Sequence, residues 1–494
     1  MKILMKLPPR FTLFRPAARW LLLALTGITA LPGAAAPTRA FRAGAATSNI
    51  TPALDVRLDG TIMQIGPGKH VHDELHARCL VLDDGATRIA FAICDTTAIA
   101  PEVVAEAKRR IAATTGLAPD HVIISATHTH SSPRTLDLGL GDANRQYNAF
   151  FARRIADGVQ RAINNLAPAK IGWGSGQKPD YLANRRSFVK PADVPVNPFG
   201  QRTDQVVMGA AARIAVRPAG PVDPQVFILS LQHLDGRPLA MLANYGLHYV
   251  GGIPPGHISA DYYGAFADRL QALLGADRQD PPFVALMSNG TSGDVKYSPA
   301  PAAPPYARMH EVANGVAEEV ARVSRQLTYH DAIPITVRTT ELNLAVRRPD
   351  AARLAWAQAI VAKTKAGPRN SRPEIYAREA VLLAEYPPTL PLRLQAFRIG
   401  DLGIASIPCE VFAETGLAIK KDSPLPATFT ISLANGYGGY LPTPEQHRLG
   451  GYEAWDARSS FLETGAEPKI RAGVLGLLHD LAGTKAGSPK PNHE

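Results

Sequence analysis

Three cysteines in 494 residues, Cys79, Cys94 and Cys409, exclude a disulfide-dense scaffold, and the lack of any CxxC pair excludes a cysteine-rich zinc module. All three sit in apolar, strand-like contexts. Cys79 and Cys94 can pair if their strands are neighbours, and buried free thiols are the alternative. The chain has no internal repeat and no long low-complexity tract, which removes solenoid and fibrous classes. Beyond residue 36 no stretch is apolar enough to cross a bilayer. Lys and Arg outnumber Asp and Glu by 53 to 43 but form no clusters, so nucleic-acid binding is not inferred.

What is present is an ordinary globular composition, 46% hydrophobic and 19% charged, long enough to bury a large core. Proline (42) and glycine (41) are scattered between apolar runs and predict many ordered loops. The first residues read differently. Lys2, Lys6, Arg10, Arg15 and Arg19 precede the apolar run Trp20–Leu31, and Pro32-Gly33-Ala34-Ala35-Ala36 supplies small residues for cleavage. Twelve apolar residues fall short of the about 20 a spanning helix needs, so 1–36 reads as a signal peptide and the protein as secreted or periplasmic. An uncleaved anchor is the alternative. Removal of that segment takes five of the ten net positive charges.

Leu80–Leu82 and Arg88–Asp95 flank the turn Asp83-Asp84-Gly85, a hairpin signal. Pro101 opens a helix with Val103, Val104, Ala107 and Ile111 on its apolar face, and Gly116 ends it. A strand follows from near His121, then a helix over 148–166. This order predicts an α/β fold of mixed sheets with flanking helices. Residues 176–206, with Asn184-Arg185-Arg186, read as a long surface loop. Strands at 226–231 and 239–245, a helix at 262–274, a strand at 283–287 and a helix at 309–327 follow. From residue 333 come long strands, two charged helices (350–366 and 372–385) and a hairpin of 392–399 with 402–407. No linker interrupts this, so 37–482 is expected to form a single large domain and 483–494 a disordered tail.

The β-branched run Val122-Ile123-Ile124 ends in Thr127-His128-Thr129-His130-Ser131-Ser132. Side chains two apart on an extended segment share a face. Both imidazoles are therefore expected to meet one point at a strand's C-terminal end, where open α/β sheets place ligands. Neutral imidazole is a common metal ligand and a proton carrier near neutral pH. Apolar strands also run into His248 (Leu242–His248), Glu410 (Ile407–Glu410) and Tyr440 (Ile431–Tyr440). Two His and one Glu make the ligand set of hydrolytic zinc sites with an open position for water. Each has a plainer reading: His128 and His130 as loop histidines, His248 as a core histidine, Glu410 as an acid at a helix N-terminus, and Tyr440 as a packing aromatic.

Taken together, Ala126–Ser131, Asn244–His248, Ser292-Gly293-Asp294-Val295, Ile407–Glu410 and Tyr440 through Arg448 to Gly451-Tyr452-Glu453 resemble the catalytic region of the neutral/alkaline non-lysosomal ceramidases and their bacterial relatives. The segment His72–Gly85 fits as well, and the resemblance spans most of residues 40–465. It implies a zinc-hydrolase catalytic domain, with His128, His248, Glu410 and Tyr440 as ligands of Zn²⁺. It places His130 and Tyr452 at the reaction centre, with an arginine that is either Arg185 or Arg186. The substrate implied is an acyl compound, a small molecule, lipid or glycan.

Two departures bear on substrate. The family's serine after Gly-Asp-Val is replaced by Lys296 or displaced to Ser298; a lysine near the metal reads as a preference for a substrate with an anionic group, and Lys296 turned to solvent is the alternative. The chain also ends about 40 residues after Tyr452, too few for the family's C-terminal immunoglobulin-like domain. The leading expectation is cleavage of an N-acyl amide. A zinc esterase that deacylates a carbohydrate and a noncatalytic periplasmic binding protein are the alternatives.

Overall fold

Eight strands, most of them buried along nearly their whole length, build the main sheet: β1 (Arg42–Asn49), β2 (His76–Asp83), β3 (Arg88–Cys94), β4 (Val122–Ala126), β5 (Ala167–Gln177), β6 (Gln225–His233), β7 (Pro238–Tyr245) and β8 (Val284–Asn289). Their spatial order is β8-β7-β6-β5-β1-β2-β3-β4. Each half is an antiparallel hairpin, β2–β3 or β6–β7, followed by a helix and a parallel strand, β4 beside β3 or β8 beside β7. The connecting helices are α1 (Pro101–Thr115) and α3 (Asp261–Leu273), and α2 (Arg145–Asn164) and α4 (Ala307–Ser324) follow the parallel strands. In the computed structural model, the described residues are 40–59, 62, 64–136, 145–298, 302–364 and 371–483. They belong to one unit, Arg39–Glu494.

A second sheet, in the order β9 (Ile335–Ala345), β10 (Thr389–Ile399), β11 (Leu402–Ser406) and β12 (Ala427–Ile431), lies on one face of the first. Strand periodicity explains the sandwich. Leu80 and Leu82 of β2 join Phe397, Ile404 and Phe429 of the second sheet, while Cys79 and Val81 point to the helices α1 and α2. Phe91 meets Phe397 at 5.5 Å and Phe227 meets Phe429 at 4.8 Å between ring centroids. α3 and α4 cover the other half of the first sheet, with Phe266, Leu270, Val316 and Val320 against Ile228 and Met241. The remaining helices are α5 (Ala351–Val361), α6 (Arg372–Ala384), α7 (Ala413–Asp422), α8 (Pro444–Leu449) and α9 (Ala466–Gly483), the last packed on the second sheet through Ile470, Val474 and Leu478. The result is an α/β/β/α stack. Both sheets have both faces covered, which is why β2, β3 and β4 read as continuous apolar runs.

The expected α/β order holds through both halves, and α1 begins at Pro101 and ends on Gly116 in the left-handed conformation. Four points differ from the sequence reading. His121 closes a 3₁₀ turn, so β4 starts at Val122. Within 176–206 the expected, mostly exposed loop runs over 190–204, but Asn184, Arg185 and Arg186 are buried in and between the short strands 182–184 and 186–189. The reason is a distant acid, Glu453, that neutralises both guanidiniums. Helix α9 was not anticipated. Gly483 closes it rather than opening a tail, while the expected signal segment 1–36 and residues 484–494 lie outside the described residues. Cys79 faces Ala92 and Cys94 faces Ala77 across the β2–β3 ladder, so the thiols are out of register, and all three cysteines are free and buried. Among the described residues no helix is long and apolar enough to cross a membrane.

Candidate metal centre

The C-terminal end of β4, the loop beyond β7 and the segments that follow β11 and β12 converge. Residues 432–435 tie them together: Ser432 N–H donates to Asn289 O at the end of β8, Ala126 N–H to Leu433 O, Asn435 N–H to Ile124 O, and Leu433 N–H to Cys409 O. Leu433 and Asn435 hold φ of 51° and 66° to make these bonds, conformations a non-glycine residue keeps only when its surroundings fix them.

His128 and His130 do converge, but by a different route from strand alternation. His128 has φ 77°, and its N–H donates to Thr96 O, so the chain turns rather than staying extended. The two Nε2 atoms end 3.1 Å apart, and His128 Nε2 is also 3.1 Å from His248 Nε2. The ligating nitrogens of all three histidines lie within 4.8 Å of one another. His128 Nδ1 is 2.6 Å from the Thr97 carbonyl oxygen, and His248 Nδ1 is 3.1 Å from that of Ser292. A carbonyl only accepts, so each Nδ1 carries the proton and each Nε2 presents a lone pair.

Glu410 completes this corner. It pairs with Tyr440 in the two-residue parallel ladder of 410–411 with 440–441. Tyr437 Oη donates to its Oε1 at 3.1 Å, while Oε2 is buried with no hydrogen-bond partner, 3.3 Å from His128 Nε2. Two lone pairs and an unpartnered carboxylate oxygen face one another at contact distance. That arrangement is repulsive unless a cation lies among them, so the donor set fits a divalent metal such as zinc. Burial above all, with the Arg185 guanidinium adding to it, holds His248 and His130 well below the usual imidazole range, which keeps both neutral. Tyr437→Phe removes the hydroxyl that orients Glu410. We expect about 10–100-fold weaker metal binding, read by chelator competition.

Arg185 and Arg186 separate cleanly. Arg185 Nη1 lies 3.2 Å from His248 Nε2, its Nε donates to Glu453 Oε1 at 2.7 Å, and its buried Nη2 has no hydrogen-bond partner. Arg186 turns away, bonded to Glu453 Oε2, Gln446 and Gly450 O. Tyr440 is buried with the Arg185 guanidinium 5.2 Å from its ring, and Tyr452 packs edge-on to Tyr440 at 5.8 Å. Burial pushes both phenols above their ordinary range. His130, Tyr249 and Tyr452 are half-buried where their neighbours are fully buried, and they mark the side of the centre open to solvent. Tyr249 stacks on His130 at 3.9 Å and 14°.

This architecture has relatives. Residues 41–304 match the family model described as neutral/alkaline non-lysosomal ceramidase, N-terminal. The chain belongs to the neutral/alkaline non-lysosomal ceramidase family. Its fold is that of the neutral ceramidase from Pseudomonas aeruginosa, at a TM-score of 0.65 and 17% identity over 92% of this chain and 76% of that one. A ceramidase complexed with C2 superposes with a TM-score of 0.64 at 17% identity, over 91% of this chain and 77% of its own. Membership makes the protein a ceramidase-like hydrolase.

Within this ceramidase-family chain, three residues of the centre were not singled out from sequence: Tyr437, Tyr249 and Glu453. Their signal was adjacency, since each lies within three residues of a candidate ligand or catalytic tyrosine. Asp294, of the Gly-Asp-Val motif, braces rather than joins the centre. It accepts from Asn184 Nδ2 at 2.6 Å and Ala413 N–H at 2.9 Å, and burial raises its carboxyl to about 6. Lys296 lies on the short strand Val295–Tyr297, partly exposed and without an ion-pair partner among the described residues.

Proposed function

We propose that this protein is a zinc-dependent hydrolase, exported from the cytoplasm, that cleaves an N-acyl amide bond. The observation that carries the reading is the convergence of the His128 and His248 lone pairs with the unpartnered Glu410 oxygen, beside a buried guanidinium with an unused Nη2. His128, His248 and Glu410 would hold the metal, and Tyr440, opposite Glu410 in the ladder, supplies the fourth ligand. Zinc so bound supplies Lewis acidity and lowers the pKa of a water to about 7.

The other residues divide the remaining work. Arg185 Nη2 and the protonated Tyr452 hydroxyl donate hydrogen bonds to the acyl oxygen as negative charge develops on it. His130 differs from the two ligand histidines, because its Nδ1 has no carbonyl anchor among the described residues and its ring is held by stacking on Tyr249. It is the proton carrier: neutral at rest, it takes a proton from the attacking water and passes it to the departing nitrogen. Tyr452→Phe is expected to lower kcat by about 10²–10³-fold with zinc content unchanged. Tyr249→Phe keeps the stack and most of the turnover, whereas Tyr249→Ala lowers kcat more than it changes KM.

Stability and metal loading should respond to pH differently. The folded His130 and His248 sit below the ordinary 6.5, so the native state stays neutral while an unfolded chain takes up protons near that value. Stability from these groups is present above about pH 6.5 and declines as the pH falls below it, whereas zinc affinity, set by folded imidazoles that are already neutral, holds below pH 6.5 until protons reach their lowered values. Equilibrium dialysis between pH 5 and 8 reads the zinc affinity. The deciding experiment is a panel of N-acyl and O-acyl compounds, including ceramide and acidic substrates, offered to the zinc-loaded protein. Cleavage of esters alone would replace the amidase reading with the esterase one.

A further inference from the structure

A second group of imidazoles lies apart from the centre. Residues His70–Val71 and His257–Ile258 form a short parallel ladder in which His70 is directly opposite His257. Opposed side chains on a ladder leave from the same face, and these two rings stand 4.6 Å apart between centroids. Tyr306, the residue before α4, closes the group. Its ring stacks on His72 at 3.6 Å and 6°, and its hydroxyl lies 2.5 Å from His257 Nδ1. Tyr306 has φ 66°, a left-handed conformation that costs a non-glycine residue on the order of 1–3 kcal/mol and persists only where its surroundings impose it.

No carboxylate pairs with His70 or His257 among the described residues. Asp73, the acid next to His72 in the chain, is spent on the Ser259 hydroxyl and the Ala260 N–H. Three imidazoles this close disfavour protonation of one another: slight burial and then His70 and His72 lower the pKa of His257. Clustered neutral imidazoles without a counter-acid are suited to zinc, copper and nickel.

We propose that His70 and His257 form a second, weaker site for a divalent transition cation, with Tyr306 fixing the His257 ring. With the proton on Nδ1, His257 donates to the Tyr306 oxygen and leaves its Nε2 lone pair for a cation, the outer-shell arrangement common to ligating histidines. Solvent fills the remaining positions. The site has a structural consequence. Ile258 runs into Ser259, whose N–H donates to Ser131 O and whose carbonyl accepts from Thr129 Oγ1, both at 2.8 Å. A cation across the ladder therefore ties the segment at His70 to the segment that braces the His128–His130 loop. None of this depends on what the centre hydrolyses.

Untagged, zinc-loaded protein titrated with Ni²⁺ in a calorimeter should take up a weaker equivalent. His70→Asn and His257→Asn should each abolish it while hydrolysis continues. Tyr306→Phe, which keeps the stacking, should weaken it about 10–100-fold, and unchanged affinity there would overturn the part given to Tyr306. His128→Ala should keep the weaker equivalent. Cu²⁺ broadening of the His70 and His257 ring signals in NMR reads the site without any variant. Absence of a weaker equivalent, or its survival in both asparagine variants, overturns the proposal.

Discussion

His128→Ala should yield a folded protein that holds no zinc at the centre and turns over substrate about 10³-fold more slowly or worse, since a catalytic metal supplies several kcal/mol of transition-state stabilisation. His128 is the hub of the corner: its Nε2 is the atom from which His248, His130 and Glu410 are all measured at 3.1–3.3 Å. Its removal leaves a single carbonyl-anchored imidazole, His248, too few donors to retain zinc against a chelator. The fold should survive, because His128 lies beyond β4 and contributes none of the apolar contacts that hold the sheets. Elemental analysis and circular dichroism on the same sample decide the matter. A folded, zinc-free variant with full activity would remove the metal from the reaction.

Glu453→Ala carries the largest expected loss of stability, about 3–5 kcal/mol, the usual penalty for leaving buried charges without their partner. Two guanidiniums share this one carboxylate: Arg185 on Oε1 at 2.7 Å and Arg186 on Oε2 at 2.6 Å, with Glu453 and Arg186 fully buried. Burial alone would raise the Glu453 carboxyl, but Arg185 and Arg186 outweigh it and hold it below its ordinary range. A depressed carboxyl contributes stability that is present above the unfolded value of 4.5 and is lost as the pH falls through the folded one. The variant should therefore lose most relative to wild type at neutral pH and least in acid, as read by urea midpoints at several pH values. Because Arg185 also touches His248, kcat should fall together with stability. Equal midpoints at pH 7 would mean that other groups neutralise the pair.

The order of elements was open to reading because it rests on local chemistry. Asp83-Asp84-Gly85 turns, Pro101 starts a helix and Gly116 stops it, and continuous apolar strands announce sheets covered on both faces. His128, His248, Glu410 and Tyr440 also announced themselves by position, after buried runs, whereas Tyr452 and the arginine came from the family resemblance. The route by which two histidines meet was not open in the same way. Alternation along an extended strand accounts for a shared face, yet His128 reaches its partners through a left-handed turn held by Thr96, a residue 32 positions away. The burial of Arg185 and Arg186 was equally hidden, because a charged pair between prolines looks solvated until an acid 267 or 268 residues later is brought against it.

The sequence by itself determined the α/β class, the candidate metal ligands and the lack of a disulfide-dense scaffold, all of which follow from residue type and spacing within a few turns of chain. Only the tertiary structure decided which arginine faces the centre, which nitrogen of His128 and of His248 is free, and that a Tyr249 stack rather than a carbonyl anchor on Nδ1 holds the His130 ring. Those facts depend on carbonyls, carboxylates and rings contributed by segments far apart in the chain, and their relative placement is fixed by the packing of two sheets rather than by any local preference.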